Sequence, residues 1–173
     1  ISIKQYKMVK SILKLMVHPD LQISMYDGLE DYAHFLIFAT FCTVKLNNQR
    51  LYETVLLEIA RKNYKTFNSA VIFIVGMLIE PKFSRFFSVA PDYKLSSELR
   101  LAVRKIIKSS PALEKHFKIT RDMITCKLNE IEYTPLAYSN DRMDGKLANI
   151  FLADEAGALD SYPVEAMRSS QIT

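Results

Sequence analysis

The stretch from Ile59 to Thr66 reads IARKNYKT, and the interpretation of the fold depends on it. It follows an apolar segment, Leu51–Ile59, and precedes a second apolar run, Asn68–Leu78, that has the length of a helix. The order strand, basic loop, helix is one in which α/β proteins bind the phosphates of a nucleotide. The consensus for such a loop is a glycine, four further residues, and then Gly-Lys-Ser/Thr. Lys65-Thr66 fits the end of this pattern, but both glycines are missing and Tyr64 stands at the second.

A second segment, Ala148–Ala153, is apolar and runs directly into Asp154 and Glu155. We interpret it as a strand with two carboxylates at its C-terminal end, although a buried strand followed by a solvated acidic turn would have the same pattern. Ligands of open α/β sheets bind at the carboxyl ends of strands, so we expect these acids to lie near the basic loop. In phosphoryl transfer, one such carboxylate holds the water shell of Mg²⁺ and the next polarises the attacking water. The two segments together predict a site for ATP and Mg²⁺.

The rest of the chain alternates between helical and strand patterns. The helical stretches have apolar residues three and four positions apart, and the strand candidates are short apolar runs. The predicted helices are Ile3–Val17, Tyr26–Val44, Asn68–Leu78, Leu95–Lys108 and Pro163–Ser170, and the predicted strands are Leu51–Ile59, Phe86–Ala90, Ile119–Lys127, Glu130–Ala137 and Ala148–Ala153. Leu128-Asn129 is expected to join a pair of these strands. The alternation predicts an α/β fold of the P-loop NTPase type, with a mostly parallel sheet, right-handed crossovers and helices on both faces.

Composition adds weaker constraints. The 173 residues suit one ordinary domain, and 49% hydrophobic with 24% charged residues is close to the globular average. A net charge of +4 is compatible with a polyanionic partner without requiring one. Cys42 and Cys126 match no metal-binding spacing. The apolar runs Phe35–Val44 and Ala70–Ile79 are each about half the roughly 20 residues that cross a bilayer, so we assign them to the core and expect no membrane association.

The loop and the acidic segment together resemble the ATPase domain of bacteriophage large terminase subunits. Residues 60–66 are similar to that family's variant phosphate loop, which commonly has Ala, Ser or Gly at its first position, Arg at the second, Lys or Gln at the third and any residue at the fourth, followed by Gly, Lys and then Ser or Thr. DEAG at 154–157 and EAMRS at 165–169 are similar to the family's acidic motif and the residues after it. The resemblance covers about Tyr52 to Gln171. It divides the chain into a helical N-terminal segment, 1–50, and a P-loop ATPase core, 51–173.

The resemblance implies a role for each candidate site residue. Lys65 would bind the phosphates, and Arg61 would contact the γ-phosphate. Thr66 and Asp154 would bind the Mg²⁺ ion. Glu155 would be the general base. The nucleotide-binding loop would comprise Arg61, Lys62, Asn63, Tyr64, Lys65 and Thr66. Arg142 either reaches the nucleotide of a neighbouring subunit or is a solvated loop residue. Tyr64 departs from the family's glycine, so its ring must point outward or the loop must widen.

The resemblance also implies the biological setting. A large terminase hydrolyses ATP to drive viral double-stranded DNA into a capsid in the host cytoplasm. Its expected partners are that DNA, the portal protein, the small terminase subunit and further copies of itself in a ring. We expect no nuclease activity, because the family's nuclease domain and coupling motif follow the region matched here.

Two alternatives stay open at this point. One is a non-catalytic α/β interaction domain in which Tyr64 marks a decayed phosphate loop. The other is a helicase-like ATPase, although the chain has no recognisable helicase motifs. Nucleotide titration distinguishes the first alternative from both ATPase interpretations.

Overall fold

The computed structural model describes residues 1–60, 63–137 and 148–155. The helices are α1 (Ile3–Leu15), α2 (Met25–Gly28), α3 (Asp31–Cys42), α4 (Lys65–Ile79), α5 (Tyr93–Ser109) and α6 (Pro111–Glu114). The strands are β1 (Arg85–Ala90), β2 (Phe117–Ile119), β3 (Ile124–Cys126), β4 (Ile131–Ala137) and β5 (Ile150–Ala153). Most predicted elements are present within a few residues of their expected bounds. The predicted helix Pro163–Ser170 lies outside the described residues.

The five strands form one mixed sheet in the order β2-β3-β4-β1-β5. β1 pairs in parallel with β4 on one side and with β5 on the other. β3 pairs antiparallel with β2 and β4, and Leu128-Asn129 lies in the β3–β4 connection as expected. The predicted α/β class is confirmed, but the sheet is parallel only around β1. The handedness of the crossovers remains a prediction.

The predicted strand Leu51–Ile59 is wrong. These residues form no helix or strand, and most of them are exposed; Leu56, for example, is 83% accessible. In the described sheet β1 is paired on both sides, and the segment pairs with neither of the outer strands, β2 and β5. Glu53 and Glu58 interrupt the run with charge. The phosphate-type loop is therefore preceded by an irregular segment and not by a strand.

Two further predictions need correction. The expected helix Tyr26–Val44 is divided at Leu29 and Glu30, whose extended backbone ends α2 and begins α3. The expected strand Ile119–Lys127 contains a tight turn, in which the backbone N–H of Thr120 donates to the carbonyl of Met123 at 2.9 Å. Hydrophobic spacing does not register such breaks, because the flanking apolar residues keep their pattern across them.

Helices α4 and α5 lie on the same face of the sheet. The ring of Phe73 in α4 stands edge-on to Phe86 of β1 and Tyr133 of β4, with centroids 5.5 and 4.9 Å apart. On that face, Ser88 Oγ lies 2.8 Å from the hydroxyl of Tyr133 and 3.4 Å from Oγ of Ser96 in α5. The contacts of α4 and α5 concern this face of the sheet. The expectation of helices on both faces therefore remains a prediction.

Helix α4 approaches the sheet closely at Gly76. A Cβ atom built there would lie 2.9 Å from Cε2 of Phe86, too near for any side chain without a shift of the ring. Phe86 is fully buried and is packed against Phe73, so it has little room to move. Glycine is therefore required by the packing of α4 on β1.

The N-terminal helices pack against the outer side of α4. His18 contacts Phe67 of α4 with ring centroids 4.8 Å apart. At the other end of that helix, Arg50 Nη1 lies 2.8 Å from Oε1 of Glu80. Burial raises the pKa of Glu80, and the charge of Arg50 acts in the opposite direction. Helix α4 is thus held near both of its ends by residues of the 1–50 segment.

Candidate nucleotide-binding site

The two parallel strands β1 and β5 end at the same edge of the sheet, and the acidic pair follows β5 there. The backbone N–H of Asp154 donates to the carbonyl of Val89 at 2.9 Å, which extends the ladder by one residue. The chain then turns, and the N–H of Glu155 donates to Oδ1 of Asp154 at 2.9 Å. Glu155 has a left-handed backbone with φ of 52°. Two consecutive carboxylates are therefore presented just beyond the carboxyl end of the sheet.

Lys65 brings the basic loop to these acids. It is the first residue of α4, and its Nζ lies 2.8 Å from Oδ1 of Asp154 and 2.7 Å from Oε1 of Glu155. Partial burial by itself lowers the pKa of Lys65, but the hydrogen bonds and charges of the two carboxylates outweigh it, and the pKa is raised above its ordinary value. Lys65 is therefore a fixed cation at neutral pH.

The start of α4 offers further groups for an anion. The first backbone N–H groups of a helix have no partner within it, and the helix dipole is positive at that end. The first turn contains no acidic residue, and the Tyr64 side chain makes no capping hydrogen bond. Thr66 is the second residue of the helix and is half-buried. Backbone N–H groups and the Lys65 ammonium group thus lie at the start of α4, where helices commonly bind phosphate, and the Thr66 hydroxyl belongs to the same turn.

Tyr64 has the backbone conformation that its glycine counterpart would favour. Its φ is 56° and its ψ is 25°, in the left-handed region that side chains rarely adopt. The residue is 63% exposed, and its ring stands edge-on to that of Phe67, with centroids 6.4 Å apart. The sequence left open whether the ring points outward or widens the loop. In the structure it points largely into solvent, beside a helix that begins at the next residue.

The Asn63–Tyr64 backbone is held by residues that the sequence did not single out. The hydroxyl of Tyr32 in α3 donates to the carbonyl of Asn63 at 2.8 Å and accepts from Nδ2 of Asn68, also at 2.8 Å. The N–H of Asn68 donates to the carbonyl of Tyr64 at 2.9 Å. No motif marks Tyr32, because its partners are a backbone carbonyl and an amide in another helix. Arg61, Lys62 and Arg142 lie outside the described residues.

The donor atoms at this edge fit a Mg²⁺ ion that arrives with a phosphate. Mg²⁺ is bound by oxygen, usually through one or two carboxylates together with substrate phosphates and water. Asp154 and Glu155 carry carboxylate oxygens of this kind, and Thr66 adds a hydroxyl oxygen in the first turn of α4. The described ranges contain no group of three or more His, Cys, Asp or Glu side chains that could hold a metal ion alone. None of the helices there combines the length and hydropathy that a membrane span requires.

Comparison with known proteins gives the family. The model of the family described as "Terminase large subunit, ATPase domain" matches residues 31–173. The chain belongs to this family. The match begins at α3, well before the Tyr52 at which the sequence resemblance begins, so Tyr32 lies within the family region. No curated protein matches the chain.

A solved terminase has the same fold. The crystal structure of the large terminase of bacteriophage HK97 superposes with a TM-score of 0.78 at 20% sequence identity, over 95% of this chain and 34% of that protein. At this identity the likeness concerns the fold alone. The terminase-type chain described here spans about a third of the length of the HK97 protein.

Proposed function

We propose that this terminase-type domain binds and hydrolyses ATP with Mg²⁺ to drive the packaging of viral double-stranded DNA into a capsid. One observation carries the proposal: Lys65, at the start of α4, lies against both carboxylates at the end of β5. A phosphate-binding cation and two acids at one sheet edge are the groups that phosphoryl transfer needs. Membership of a terminase ATPase family supports the use of ATP.

Each residue has a distinct task in this proposal. Lys65 and the first N–H groups of α4 bind the phosphates, and the ammonium group leaves the carboxylates to do so. Thr66 and Asp154 would hold Mg²⁺, which when bound would supply positive charge to the phosphate oxygens. Glu155 orients the attacking water and accepts its proton. Glu155 is the more exposed of the two acids, so water can reach it directly.

The other predicted residues also have roles in this proposal. Arg61 contacts the γ-phosphate, and the backbone of Lys62, Asn63 and Tyr64 encloses the phosphates. Arg142 reaches the nucleotide of a neighbouring copy. We further propose that the domain works in the host cytoplasm as a ring of copies, together with the portal protein and the small terminase subunit. This part of the proposal is supported by the family alone.

The decayed-loop alternative is less well supported by the geometry. Loss of function removes selection for a costly backbone, yet Tyr64 keeps the left-handed conformation that a glycine would adopt there. Lys65 also keeps its contact with both acids. A helicase-like ATPase is disfavoured because the matching family is that of terminases.

Nucleotide binding by the parent chain and by Lys65→Ala tests the proposal. Titration with ADP and Mg²⁺ is the primary measurement, because turnover also depends on a neighbour's arginine. We expect Lys65→Ala to bind ADP about 10-fold to 100-fold more weakly, since a charge-assisted contact is lost. Lys82→Ala, at an exposed position between α4 and β1, is the matched control and should bind like the parent. A parent chain that binds no ADP at millimolar concentration would support the decayed loop instead.

A further inference from the structure

The left-handed backbone at Tyr64 is enclosed by hydrogen bonds from two helices. Tyr32 in α3 donates to the carbonyl on one side of Tyr64, that of Asn63. The N–H of Asn68 donates to the carbonyl of Tyr64 itself, which is the first hydrogen bond of α4. The Asn68 side chain, in a residue only 2% exposed, donates in turn to the Tyr32 hydroxyl. The two residues therefore form one connected clamp around Tyr64.

Such a clamp has a physical purpose at this position. A tyrosine in the left-handed region is strained because its Cβ crowds the backbone, whereas a glycine is not. A strained backbone persists only where its surroundings specify it strongly. The ring of Tyr64 contributes little, since it is mostly in solvent and meets Phe67 at its edge. Of the contacts described for this peptide, the hydrogen bond from Tyr32 to the Asn63 carbonyl ties it to another helix, whereas the bond to the Tyr64 carbonyl belongs to α4 itself.

We propose that Tyr32 is a positioning residue for the phosphate loop and that it substitutes for the loop's missing glycine. It does not touch the nucleotide. It acts through Asn63 and Tyr64, whose conformation sets where α4 starts and hence where Lys65 stands relative to Asp154. This inference rests on the proposed function, because it concerns the geometry of the same phosphate site.

The hypothesis makes Tyr32 necessary only as long as residue 64 carries a side chain. Tyr32→Phe removes one oxygen, which leaves the Asn63 carbonyl without this donor and Nδ2 of Asn68 without this acceptor. In a Tyr32→Phe variant that retains Tyr64, the loop then relaxes from the left-handed backbone. With glycine at position 64, that backbone has no steric cost, and the loop keeps its form without the clamp.

A double-mutant cycle tests this dependence. ADP affinity with Mg²⁺ is measured by titration for the parent, Tyr32→Phe, Tyr64→Gly and the double variant, together with their melting temperatures. We expect Tyr32→Phe to weaken ADP binding about threefold to tenfold in the parent, from the loss of a hydrogen bond. In the Tyr64→Gly background, the same change should alter the affinity less than twofold. Tyr52→Phe, an exposed tyrosine in the irregular segment, is the control for a general effect of removing a hydroxyl.

The outcomes separate the two proposals. A parent that binds no ADP would overturn the proposed function and the role of Tyr32 with it. A parent that binds ADP, but loses equal affinity on Tyr32→Phe in both backgrounds, would overturn the role of Tyr32 alone. So would a Tyr32→Phe variant that melts at a lower temperature and binds ADP like the parent, because that is the behaviour of a residue with only a structural role.

Discussion

Nζ of Lys65 lies 2.7 Å from Oε1 of Glu155, although 90 positions of the sequence separate the two residues. The contact joins the start of α4 to the turn after β5, and Asp154 takes part in it as well. A cation held by two carboxylates must give up at least part of that contact when it binds phosphates. We therefore expect nucleotide binding to loosen this ion pair at the proposed site.

The raised pKa of Lys65 predicts how this ion pair responds to pH. A group whose pKa is higher in the folded chain contributes stability that is complete below its ordinary value, near 10.5, and is lost as the pH rises through the folded value. We expect Lys65→Met to lower the free energy of unfolding by about 0.5–1 kcal/mol, as for a partly exposed pair. Urea unfolding should give the same difference at pH 7 and pH 9. A difference that disappears by pH 9 would contradict the pKa direction, and Lys82→Met controls for loss of surface charge.

Glu155→Gln should separate binding from hydrolysis. The amide keeps the size of the side chain but accepts no proton, so we expect ATP turnover to fall about 100-fold or more. ADP affinity should stay within about threefold of the parent value, because Lys65 and the start of α4 are intact. Initial rates of phosphate release at saturating ATP would show this. Glu98→Gln, on the exposed side of α5, should leave both turnover and ADP affinity unchanged. If Glu155→Gln turns over ATP as fast as the parent, Glu155 is not the general base.

Tyr64 allows the cost of the left-handed backbone to be measured directly. Tyr64→Gly and Tyr64→Ala both lose the exposed ring, and they differ only in a Cβ atom. We expect the glycine variant to be more stable than the alanine variant by about 1 kcal/mol, because φ is 56° at this position. Paired urea unfolding curves would give the difference. In an ordinary exposed helix position the order is reversed, since alanine is favoured there by roughly 1 kcal/mol.

Gly76→Ala should destabilise the fold. The added methyl group would lie 2.9 Å from Cε2 of Phe86, and overpacking of a buried core costs about 1–3 kcal/mol. This exceeds the roughly 1 kcal/mol that alanine gains over glycine inside a helix. Thermal unfolding of Gly76→Ala and Gly28→Ala would test the claim, since the nearest atom to a methyl group at Gly28 is Cδ2 of the His18 side chain, 3.2 Å away. A Gly76 variant as stable as the parent would mean that α4 can move away from β1.

The sequence predicted those parts of the site in which the functional residues are consecutive in the chain. Two pairs of residues were recognisable because charged side chains adjoin an apolar segment. Lys65-Thr66 precede one such segment, and Asp154-Glu155 follow another. Their meeting follows from the rule that ligands bind at the carboxyl ends of strands. The roles assigned to them remain predictions, as do those of Arg61, Lys62 and Arg142.

The failures have equally specific causes. Leu51–Ile59 has the composition of a strand, but whether such a run pairs depends on which sheet edges are free, and composition does not contain that information. Tyr32 was missed because it acts through a backbone carbonyl from a helix that is distant in sequence. The left-handed conformation of Tyr64 was equally invisible, because a tyrosine gives no sign of it.

Helix α4 makes the site mechanically continuous with the first fifty residues. Its 15 residues form a rod of about 22 Å, with Lys65 at one tip and the Arg50–Glu80 pair just beyond the other. By the rise of the helix, Gly76 lies about 16 Å along this rod from Lys65 and about 6 Å from Glu80. Because Gly76 seats the rod directly on Phe86, the seat is nearer to the far tip than to the loop. About that seat, a displacement of Lys65 would reach Glu80 in the opposite direction and reduced to roughly a third, by leverage over these two lengths.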